Sequence, residues 1–586
     1  MWREEYTHWC TSPVFDGETR AELKAITDEK ELEDRFYQNL SFGTGGLRGV
    51  IGAGTNRMNI YTVGKATQGL ADYIGGKTEH GSVVIAYDSR RMSPEFALRA
   101  ACILAANGIK AYLFESLRPT PELSFAVRLL HATAGIVITA SHNPPQYNGY
   151  KVYWSDGGQI VPPYDKEIIA CVHAVKDFGD VRTMSEQDAR AAGMIETIGG
   201  AVDDAYMAAI QGLVLEHGAI RSMANQLRIV YTPLNGTGYV PVTRVLKELG
   251  FGQVWVVPEQ AQPDGAFPTL RYPNPEDPAA FTLALALAKE VDADIVLATD
   301  PDADRLGVYA KDASTGEYLP FTGNMSGLLI AEYELSRREA KGLLPARRAD
   351  GALVTTIVSS NMAYAVAARF GLTVIEVLTG FKYIGEQIRL FEEARTANGG
   401  APDHTKGAYE YEFGFEESYG CLVGTHARDK DAVAAVMALC EAAAYYKSQG
   451  KTLCDVMREM YGRYGYYREA LASVTIPGAE GAEKIERTIA SLRRTSPDAI
   501  GGQKVVAVRD YRAGTRTVLA DGSVSPLTLP GSNVLYFELE GDGWCCVRPS
   551  GTEPKIKFYF GVKGESLCAA DEKLQQLKEG LLALAK

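Results

Sequence analysis

The sequence predicts an α/β protein: three related α/β domains with mixed sheets and a C-terminal α+β domain, arranged around a central cleft. Three observations support this. The chain has 586 residues, too many for one hydrophobic core. Strand-like apolar runs alternate with helical patterns over most of it. Residues 134–141 and 293–300 closely resemble each other, which indicates duplication. The expected domains are 1–200, 201–320, 321–460 and 461–586.

Composition excludes several classes of protein. The apolar fraction of 46% and charged fraction of 23% are ordinary for a globular enzyme. A net charge of −13 argues against a nucleic-acid partner, although a local basic pocket can still bind an anion. The nine cysteines show no metal-binding spacing and an odd total, which favours reduced thiols. Residues 1–5 lack the apolar core of a signal peptide and no apolar run reaches membrane-spanning length, so we expect neither a signal peptide nor a transmembrane helix. We therefore expect a cytoplasmic protein, monomeric or homodimeric, with no membrane partner.

The first elements are helical. Residues 1–40 show helical apolar spacing, so one or two helices are expected. The glycine-rich stretch 42–49 follows, where backbone amides can approach an anion and Arg48 can face a phosphate. A flexible turn is the simpler interpretation of this stretch taken alone.

Three passes of strand and helix follow. Each pass ends in a polar loop, which predicts one functional loop per copy. The stretches with strand patterns are 83–87, 110–114 and 134–139 in the first pass, 228–231, 254–257 and 293–300 in the second, and 353–358 and 372–377 in the third, which ends at 411–418. From residue 500 onward, short strands with hairpin signals at Asp521-Gly522 and Asp542-Gly543 precede a final helix.

Ser141 is the first candidate for a reactive side chain. A Pro-Pro pair prevents the apolar strand 136–138 from continuing, so Ser141 lies on the loop after it. Parallel sheets bind ligands at this end of their strands. His142 offers a neighbouring donor or acceptor, and Lys151 is a candidate proton carrier. A plain chain-reversing turn is the alternative.

Asp300, Asp302 and Asp304 alternate directly after an apolar strand. If the backbone is extended there, the three carboxylates share one side and can converge on a hard divalent cation. An EF-hand is excluded, because its required glycine and glutamate positions hold Arg305 and Lys311. The alternative is a solvated acidic turn.

Two later loops can bind a sugar and an anion. Residues 414–420 offer two carboxylates and a hydroxyl for sugar hydroxyl groups, and the polar stretches 379–382 and 426–430 lie on either side. The second of these stretches can equally be a salt-bridged helix start. Residues 548–554 combine an arginine, two hydroxyls and glycine-adjacent amides, which suits a phosphate.

These loops resemble, in order, the four signature loops of the α-D-phosphohexomutase family. The matching stretches are 139–151, 300–305, 414–418 and 548–552. The likeness extends from about Phe42 to near the carboxyl end. Chain length and the Gly-Phe-Glu-Glu-Ser loop are more similar to long members of the phosphoglucomutase and phosphopentomutase type than to the shorter phosphomannomutases.

The resemblance implies a phosphosugar mutase that interconverts glucose 1-phosphate and glucose 6-phosphate. Ser141 would carry the phosphoryl group between Arg48 and Lys151, with His142 shaping the site. The implied Mg²⁺ ligands are Ser141, through a phosphoserine oxygen, and Asp300, Asp302 and Asp304. Glucose 1,6-bisphosphate is the implied intermediate and activator. The implied substrate-binding residues are Arg305, Thr379, Gly380, Glu416, Ser418, Lys430, Arg548, Ser550, Gly551 and Thr552. Some family members have a histidine where Gly420 stands, so the general acid–base stays open.

Other functions remain as alternatives. The substrate can instead be ribose or deoxyribose 1-phosphate, or mannose 1-phosphate. A phosphatase would use Asp300 as nucleophile and Asp302 as acid, and would form a hydroxylamine-labile phosphoenzyme. A non-catalytic sugar-phosphate sensor is the remaining alternative.

Overall fold

The computed structural model describes residues 2–43, 46–475, 479–549 and 555–584. The chain forms two compact units. The first contains the chain up to Gly323 together with Ile384–Glu393 and Ser418–Thr452. The second contains Asn324–Tyr383, Ala394–Glu417 and the chain from Leu453 onward.

The predicted amino-terminal helices are confirmed and number three within the described residues. Asp16 and Asp28 cap the second and third by accepting hydrogen bonds from backbone amides of the first turn. Trp9, Phe15 and Phe36 form an aromatic core between them. The helices are α1 (Trp2–Thr11), α2 (Gly17–Ala25) and α3 (Glu29–Phe36).

The first α/β region is a six-stranded mixed sheet with helices on both faces. Val83 and Ile85 pack into one core cluster while Val84 and Ala86 pack into another, because alternate side chains point to opposite faces. The elements are β1 (Gly46–Val50), α4 (Ile60–Gly75), β2 (Ser82–Tyr87), α5 (Ser93–Ala106), β3 (Lys110–Phe114), α6 (Thr120–Leu129), β4 (Ala134–Ile138), β5 (Tyr147–Trp154), α7 (Tyr164–Ala174), α8 (Glu186–Ala191) and β6 (Ile195–Ile198). The strand order is β1-β5-β4-β2-β3-β6, with β1 and β5 antiparallel to their neighbours.

The second α/β region repeats this arrangement. Its sheet order is β11-β10-β9-β7-β8, in which β7 pairs in parallel with β8 and β9, and β10 is antiparallel. In the first sheet β2 likewise pairs in parallel with β3 and β4, and β5 is antiparallel to β4, so the predicted duplication is confirmed at the level of topology. The elements are α9 (Gly200–Gln211), α10 (His217–Met223), β7 (Ile229–Thr232), α11 (Tyr239–Glu248), β8 (Val254–Val256), α12 (Pro258–Ala261), α13 (Thr282–Val291), β9 (Ile295–Thr299), β10 (Leu306–Lys311) and β11 (Tyr318–Phe321).

The third region contains the same parallel core. Strand β12 pairs in parallel with β13 and with β14 in the second unit. The elements are α14 (Gly323–Ala340), β12 (Gly351–Thr356), α15 (Met362–Phe370), β13 (Thr373–Val377), α16 (Phe381–Ala397), β14 (Glu410–Glu416), β15 (Gly420–Leu422), α17 (Ala432–Lys447) and α18 (Leu453–Tyr464).

The carboxyl-terminal region is α+β, as predicted. Its strands pair antiparallel in the order β16-β23-β22-β21-β18-β19-β20, and β17 pairs with β18. Both predicted hairpins are present, between β19 and β20 and between β21 and β22. The elements are β16 (Tyr466–Thr475), α19 (Ala479–Arg494), β17 (Ala499–Ile500), β18 (Gln503–Asp510), β19 (Thr515–Val518), β20 (Val524–Pro526), β21 (Leu535–Leu539), β22 (Trp544–Pro549), β23 (Lys555–Gly564) and α20 (Leu567–Leu584).

Two local predictions were wrong. The glycine-rich stretch contains a strand rather than only a turn: β1 pairs with β5, and Arg48 lies opposite Gly149. The polar loop after β14 is shorter than predicted, because Glu416 is the last residue of that strand.

All nine cysteines lie in the described part of the chain and are free thiols. None of the described helices has the length and apolar character that a membrane crossing needs.

Candidate active site

The loop after β4, residues 139–147 (the serine loop), presents Ser141 in an unusual backbone conformation. Ser141 has φ of 51°, in the left-handed region, and is 3% exposed. Its amide donates to Thr139 Oγ1 at 2.8 Å. Its Oγ lies 2.6 Å from Asp300 Oδ2, to which it donates, and 3.0 Å from His142 Nδ1. The serine and the aspartate predicted from separate motifs therefore meet.

The loop after β9, residues 300–305 (the aspartate loop), brings three carboxylates together by turning. Asp300 Oδ1 accepts hydrogen bonds from the amides of Asp304 at 3.2 Å and Arg305 at 3.1 Å, and Ala303 has φ of 49°. The predicted extended backbone with alternating side chains is thus wrong. The carboxylates still converge: one oxygen each from Asp300, Asp302 and Asp304 lies within 4.8 Å of the others, and all three residues are buried.

Two lysines neutralise part of this negative charge. Lys151 Nζ, on β5, lies 2.8 Å from Asp302 Oδ2 and 3.7 Å from Asp304 Oδ2. Lys430 Nζ lies 2.8 Å from the same oxygen of Asp304. Thr120 Oγ1, at the start of α6, donates to Asp302 Oδ2 at 2.9 Å. The site thus combines buried acids with buried cations.

The electrostatics of the three aspartates favour a bound cation. Burial and the charges of Asp302 and Asp304 raise the pKa of Asp300 well above its usual range. Burial also acts to raise the pKa of Asp302, but the ammonium of Lys151 outweighs it and the pKa is lowered. Asp302 Oδ1 and Asp304 Oδ1 are buried and have no hydrogen-bond partner among the described residues. Two buried carboxylate oxygens that accept no hydrogen bond are suited to a hard divalent cation, so these residues fit Mg²⁺.

Lys151 is held as a cation. Burial alone lowers the pKa of Lys151, but the nearby Asp302 and Asp304 reverse the effect and raise it. In this environment the side chain favours its protonated form. A protonated amine cannot accept a proton, so this charge balance does not support the predicted role of Lys151 as proton acceptor, which stays a prediction.

Two predicted arginines border the site. Arg48 is exposed on β1, and its Nη1 lies 3.4 Å from Asn143 Oδ1 in the serine loop. Arg305 ends the aspartate loop, and its Nη1 pairs with Glu276 at 2.5 Å. Both guanidinium groups therefore lie beside the two loops that carry the serine and the aspartates.

The loop that carries Lys430 is anchored on both sides of that residue. Tyr153 OH donates to Asp429 Oδ2 at 2.7 Å, and His426 Nε2 lies 2.7 Å from Asp431 Oδ2. Asp431 Oδ1 also accepts from the first amides of α17. The stretch is thus both a helix start and part of the site, the two interpretations that the sequence left open.

The second unit carries four of the predicted substrate-binding residues. Thr379 and Gly380 precede α16, and Gly380 has φ of 122°, which a glycine adopts without strain. Arg548 lies on β22 opposite Lys557 on β23. Glu416, which ends β14, is buried. Ser418 belongs to the first unit, and Ser550, Gly551 and Thr552 lie outside the described residues.

Glu417 is a further group at this location. Thr356 Oγ1, at the end of β12, donates to Glu417 Oε2 at 2.9 Å. Burial and the neighbouring charge of Glu416 raise the pKa of Glu417 to about 7. The sequence predicted Glu417 as one of two carboxylates for sugar hydroxyl groups, but neither its partner Thr356 nor its raised pKa.

Sequence reasoning missed Thr120, Glu276 and Thr356. Thr120 stands between two prolines, a pattern typical of a helix start, and nothing in the local sequence links it to an aspartate 182 positions away. Glu276 and Thr356 likewise carry no local signal. Their roles depend on pairings that only the folded chain creates.

Models of the four phosphoglucomutase/phosphomannomutase domains match the chain in order. The three alpha/beta/alpha domains, I to III, match residues 39–178, 204–315 and 322–464, and the C-terminal domain matches residues 502–573. Mg²⁺ binding is typical of this family, and the three buried aspartates form its acidic triad.

Curated relatives agree with this assignment. A phosphoglucomutase of Staphylococcus epidermidis is 38% identical over 91% of this chain and 92% of its own. A phosphoglucomutase of Staphylococcus saprophyticus is 35% identical over 99% of this chain and 98% of its own.

Solved structures share the fold. A putative phosphomannomutase from Thermus thermophilus has a TM-score of 0.66 at 24% identity and covers 93% of this chain and all of its own. The open form of parafusin, a phosphoglucomutase from Paramecium, has a TM-score of 0.66 at 17% identity over 94% of this chain and 95% of its own. The chain therefore belongs to the phosphoglucomutase/phosphomannomutase family of α-D-phosphohexomutases and is a phosphosugar mutase.

Proposed function

We propose that the protein interconverts glucose 1-phosphate and glucose 6-phosphate through a phosphorylated Ser141 and glucose 1,6-bisphosphate. The observation that carries the proposal is the 2.6 Å contact of Ser141 Oγ with Asp300, inside a buried group of three aspartates and two lysines. A hydroxyl at this point can carry a phosphoryl group whose charge the surrounding cations balance.

The reaction consists of two transfers. In the first, the bond between phosphorus and Ser141 Oγ breaks and a bond to the C6 oxygen of glucose 1-phosphate forms, while the proton of that sugar hydroxyl is transferred to Ser141 Oγ. The product is glucose 1,6-bisphosphate. In the second, the bond between phosphorus and the C1 oxygen breaks and a bond to Ser141 Oγ forms, while the proton of the serine hydroxyl is transferred to the C1 oxygen. The enzyme is restored and glucose 6-phosphate leaves.

The chain's own residues orient the groups that react. Asp300, Asp302 and Asp304 would hold Mg²⁺, which offsets negative charge on the phosphoryl group in transfer. Lys151 and Lys430 place two ammonium groups beside the carboxylates of Asp302 and Asp304. Because Ser141 is 3% exposed, water has little access to the reacting oxygen, which disfavours hydrolysis.

The second unit supports the sugar end of the proposal. The buried Glu416 and the half-buried Glu417 supply carboxylate oxygens for sugar hydroxyl groups, and Arg548 with Lys557 supplies cations for the phosphate that does not react. Glucose is the proposed sugar because the relatives at 35–38% identity are phosphoglucomutases. Ribose, deoxyribose and mannose 1-phosphates are the competing substrates.

A nucleophilic Asp300 is less well supported. One oxygen of its carboxylate accepts two backbone amides and the other accepts the Ser141 hydroxyl, so both are engaged. The carboxyl is also buried, and its pKa is raised by burial and by its two acidic neighbours. Both features reduce its reactivity toward phosphorus.

The test is labelling of the enzyme with radioactive glucose 1,6-bisphosphate, together with turnover of glucose 1-phosphate. Wild type should take up label at Ser141 that resists hydroxylamine, and Ser141→Ala should lose label and at least about 1,000-fold in kcat. Ser89→Ala removes a nearby buried hydroxyl that, unlike that of Ser141, has no hydrogen-bond partner among the described residues, and this variant should retain both label and turnover. Hydroxylamine-labile label, or turnover by Ser141→Ala, would reject the proposal. Rates on glucose, ribose and mannose 1-phosphates, compared side by side, decide the sugar.

A further inference from the structure

Arg90 is a buried arginine whose side chain is directed at the serine loop. It is 1% exposed and follows β2, the strand next to β4 in the sheet. Its Nη1 donates to the carbonyl oxygens of Pro144 at 2.8 Å and Tyr147 at 3.0 Å. Its Nη2 donates to the carbonyl oxygens of Ser141 and Asn143. The four hydrogens on these two nitrogens therefore match four carbonyls of one loop.

The third guanidinium nitrogen, Nε, makes no hydrogen bond among the described residues but faces a carboxylate as an ion pair. Arg90 Nε lies 3.3 Å from Asp88 Oδ2, and both side chains are fully buried. The guanidinium carbon lies 5.1 Å from the ring centre of Phe267, a contact that restricts the plane of the group. A planar fork held in this way can serve several acceptors at once.

Asp88 extends the contact to the start of the loop. Its Oδ2 accepts from Thr139 Oγ1 at 2.6 Å, and that hydroxyl in turn accepts from the Ser141 amide at 2.8 Å. The Asp88 amide donates to the carbonyl of Ile138 at 3.0 Å. The arginine and the aspartate together contact the serine loop from its first residue to its last.

The loop needs such support because of its backbone. A non-glycine residue is disfavoured in the left-handed region and persists there only where its surroundings impose it. At Ser141 this conformation accompanies the 2.6 Å contact of Oγ with Asp300. Without Arg90, the four carbonyls of the loop lose their donors, of which only the contact to Ser141 is fully buried, and the unfavourable φ is no longer offset. We therefore expect the loop to rearrange.

We infer that Arg90 is a positioning residue that keeps Ser141 Oγ directed at the aspartate triad, and so governs phosphoryl transfer rather than sugar-phosphate binding. This inference rests on the proposed function. Arg90 acts through the main chain of the serine loop. A lysine cannot replace it, because one ammonium group cannot reach four carbonyls in a plane.

The experiment compares Arg90→Ala and Arg90→Lys with wild type and with Arg99→Ala. Arg99 lies on α5 in the same region, and its Nη1 donates to Thr183 Oγ1. Each protein is assayed for melting temperature, for KM and kcat with glucose 1-phosphate, and for transfer of label from glucose 1,6-bisphosphate to Ser141. The assays of Arg90→Ala and Arg99→Ala are repeated with guanidinium at millimolar concentrations, far below those that denature.

We expect both Arg90 variants to lose about 100-fold in kcat and in labelling rate, because a small displacement of a reacting atom has an effect of this size, while KM stays unchanged. Guanidinium should restore part of the labelling rate in Arg90→Ala. Arg99→Ala should match wild type and not respond to guanidinium.

The outcomes separate the inference from the proposed function. If wild type takes up no label at Ser141, the proposed function fails. If wild type is labelled and the folded Arg90 variants are labelled equally fast, the role of Arg90 is wrong while the proposed function stands. A rise in KM with unchanged kcat, or two variants that both fail to fold, also overturns the positioning role.

Discussion

The serine loop and the aspartate loop occupy equivalent places in two copies of one α/β unit but are held differently. Each follows the strand that lies between a parallel neighbour and an antiparallel one, β4 in the first copy and β9 in the second. Each contains a non-glycine residue with positive φ, Ser141 at 51° and Ala303 at 49°. In each copy, support comes from the residues that follow the neighbouring parallel strand, β2 or β7.

The chemistry of that support differs. In the first copy a side chain, Arg90, donates to four carbonyls of the serine loop. In the second copy the support is main chain: the Thr237 amide donates to the carbonyl of Pro301 at 2.8 Å. Gly236 approaches so closely that a Cβ there would lie 2.4 Å from Pro301 Cα.

The third copy uses another device at the same place. Thr356 ends β12, and its hydroxyl donates to Glu417 just after β14. The comparison teaches that each loop is held by groups that leave its functional atoms available. An arginine donates to carbonyls and spares the serine hydroxyl, whereas a backbone contact in the second copy spares the carboxylates of Asp302 and Asp304 for a cation.

Among the variants that test this comparison of the three copies, the largest effect is expected from adding a side chain at Gly236. In Gly236→Ala the new methyl group displaces Pro301 and with it the aspartates, so Mg²⁺ affinity should fall about 10- to 100-fold. Calorimetric titration with Mg²⁺ measures this directly. Gly218 is in the same copy, and a Cβ added there would meet no atom within 4 Å outside its own helix backbone and chain neighbours, so Gly218→Ala should bind Mg²⁺ like wild type. Unchanged affinity in Gly236→Ala would show that backbone approach does not hold the aspartate loop.

A smaller effect is expected in the third copy. Thr356→Val removes the donor to Glu417 and leaves a half-buried carboxylate without it, which costs about 1 kcal/mol. The KM for glucose 1-phosphate should rise about fivefold, with kcat nearly unchanged, since the sugar is bound here and not transformed. Thr356→Ser keeps the hydroxyl and should restore KM. A lower kcat at constant KM would place this pair among the reacting groups instead.

The smallest effect on activity is expected at Glu412, on the same strand as Glu416. Glu412 is 4% exposed and pairs with Arg338 at 2.8 Å; burial raises its pKa from 4.5 to about 7 despite that partner. The folded state therefore binds a proton more tightly than the unfolded state. The contribution of protonated Glu412 to the free energy of unfolding is therefore complete below pH 4.5 and is lost as the pH rises through 7.

Glu412→Gln should remove the part of this dependence that Glu412 contributes, at most about 3 kcal/mol of unfolding free energy, while kcat stays the same. The part contributed by Glu417, whose pKa is also raised to about 7, should remain. Melting temperatures at pH 5 and pH 8 measure the dependence. Wild type and Glu410→Gln, a control on the same strand, should both lose stability over this interval. An equal loss in Glu412→Gln would exclude Glu412 as the source, and a change in kcat would show that β14 does not separate structural from functional carboxylates.

Local sequence patterns predicted most of the fold. Apolar runs marked β2, β4, β7, β9 and β12, because a strand covered on both faces needs apolar side chains at nearly every position. Asp521-Gly522 marked its hairpin, because a tight turn requires a positive φ that glycine adopts freely, and Gly522 has φ of 70°. The polar loops of the three α/β copies were located because each follows such a strand.

Other features depended on partners distant in sequence. The convergence of Asp302 and Asp304 was predicted from alternation, but a turn held by Asp300 produces it. No local pattern indicated the role of Arg90, because its four acceptors lie more than 50 positions away in the sequence. Residues 42–49 gave a turn signal, and only pairing with β5 made part of them a strand.

The sequence by itself determined which chemical groups the protein has and which strands deliver them: a serine, three aspartates, two lysines and the glutamate and arginine loops. Those are local properties of residue type and of apolar periodicity. The tertiary structure alone decided which atoms meet, and how Ser141 is held in a left-handed conformation against Asp300. The physical reason is that burial, charge balance and the satisfaction of carbonyls by Arg90 are properties of neighbours in space, which the order of residues does not specify.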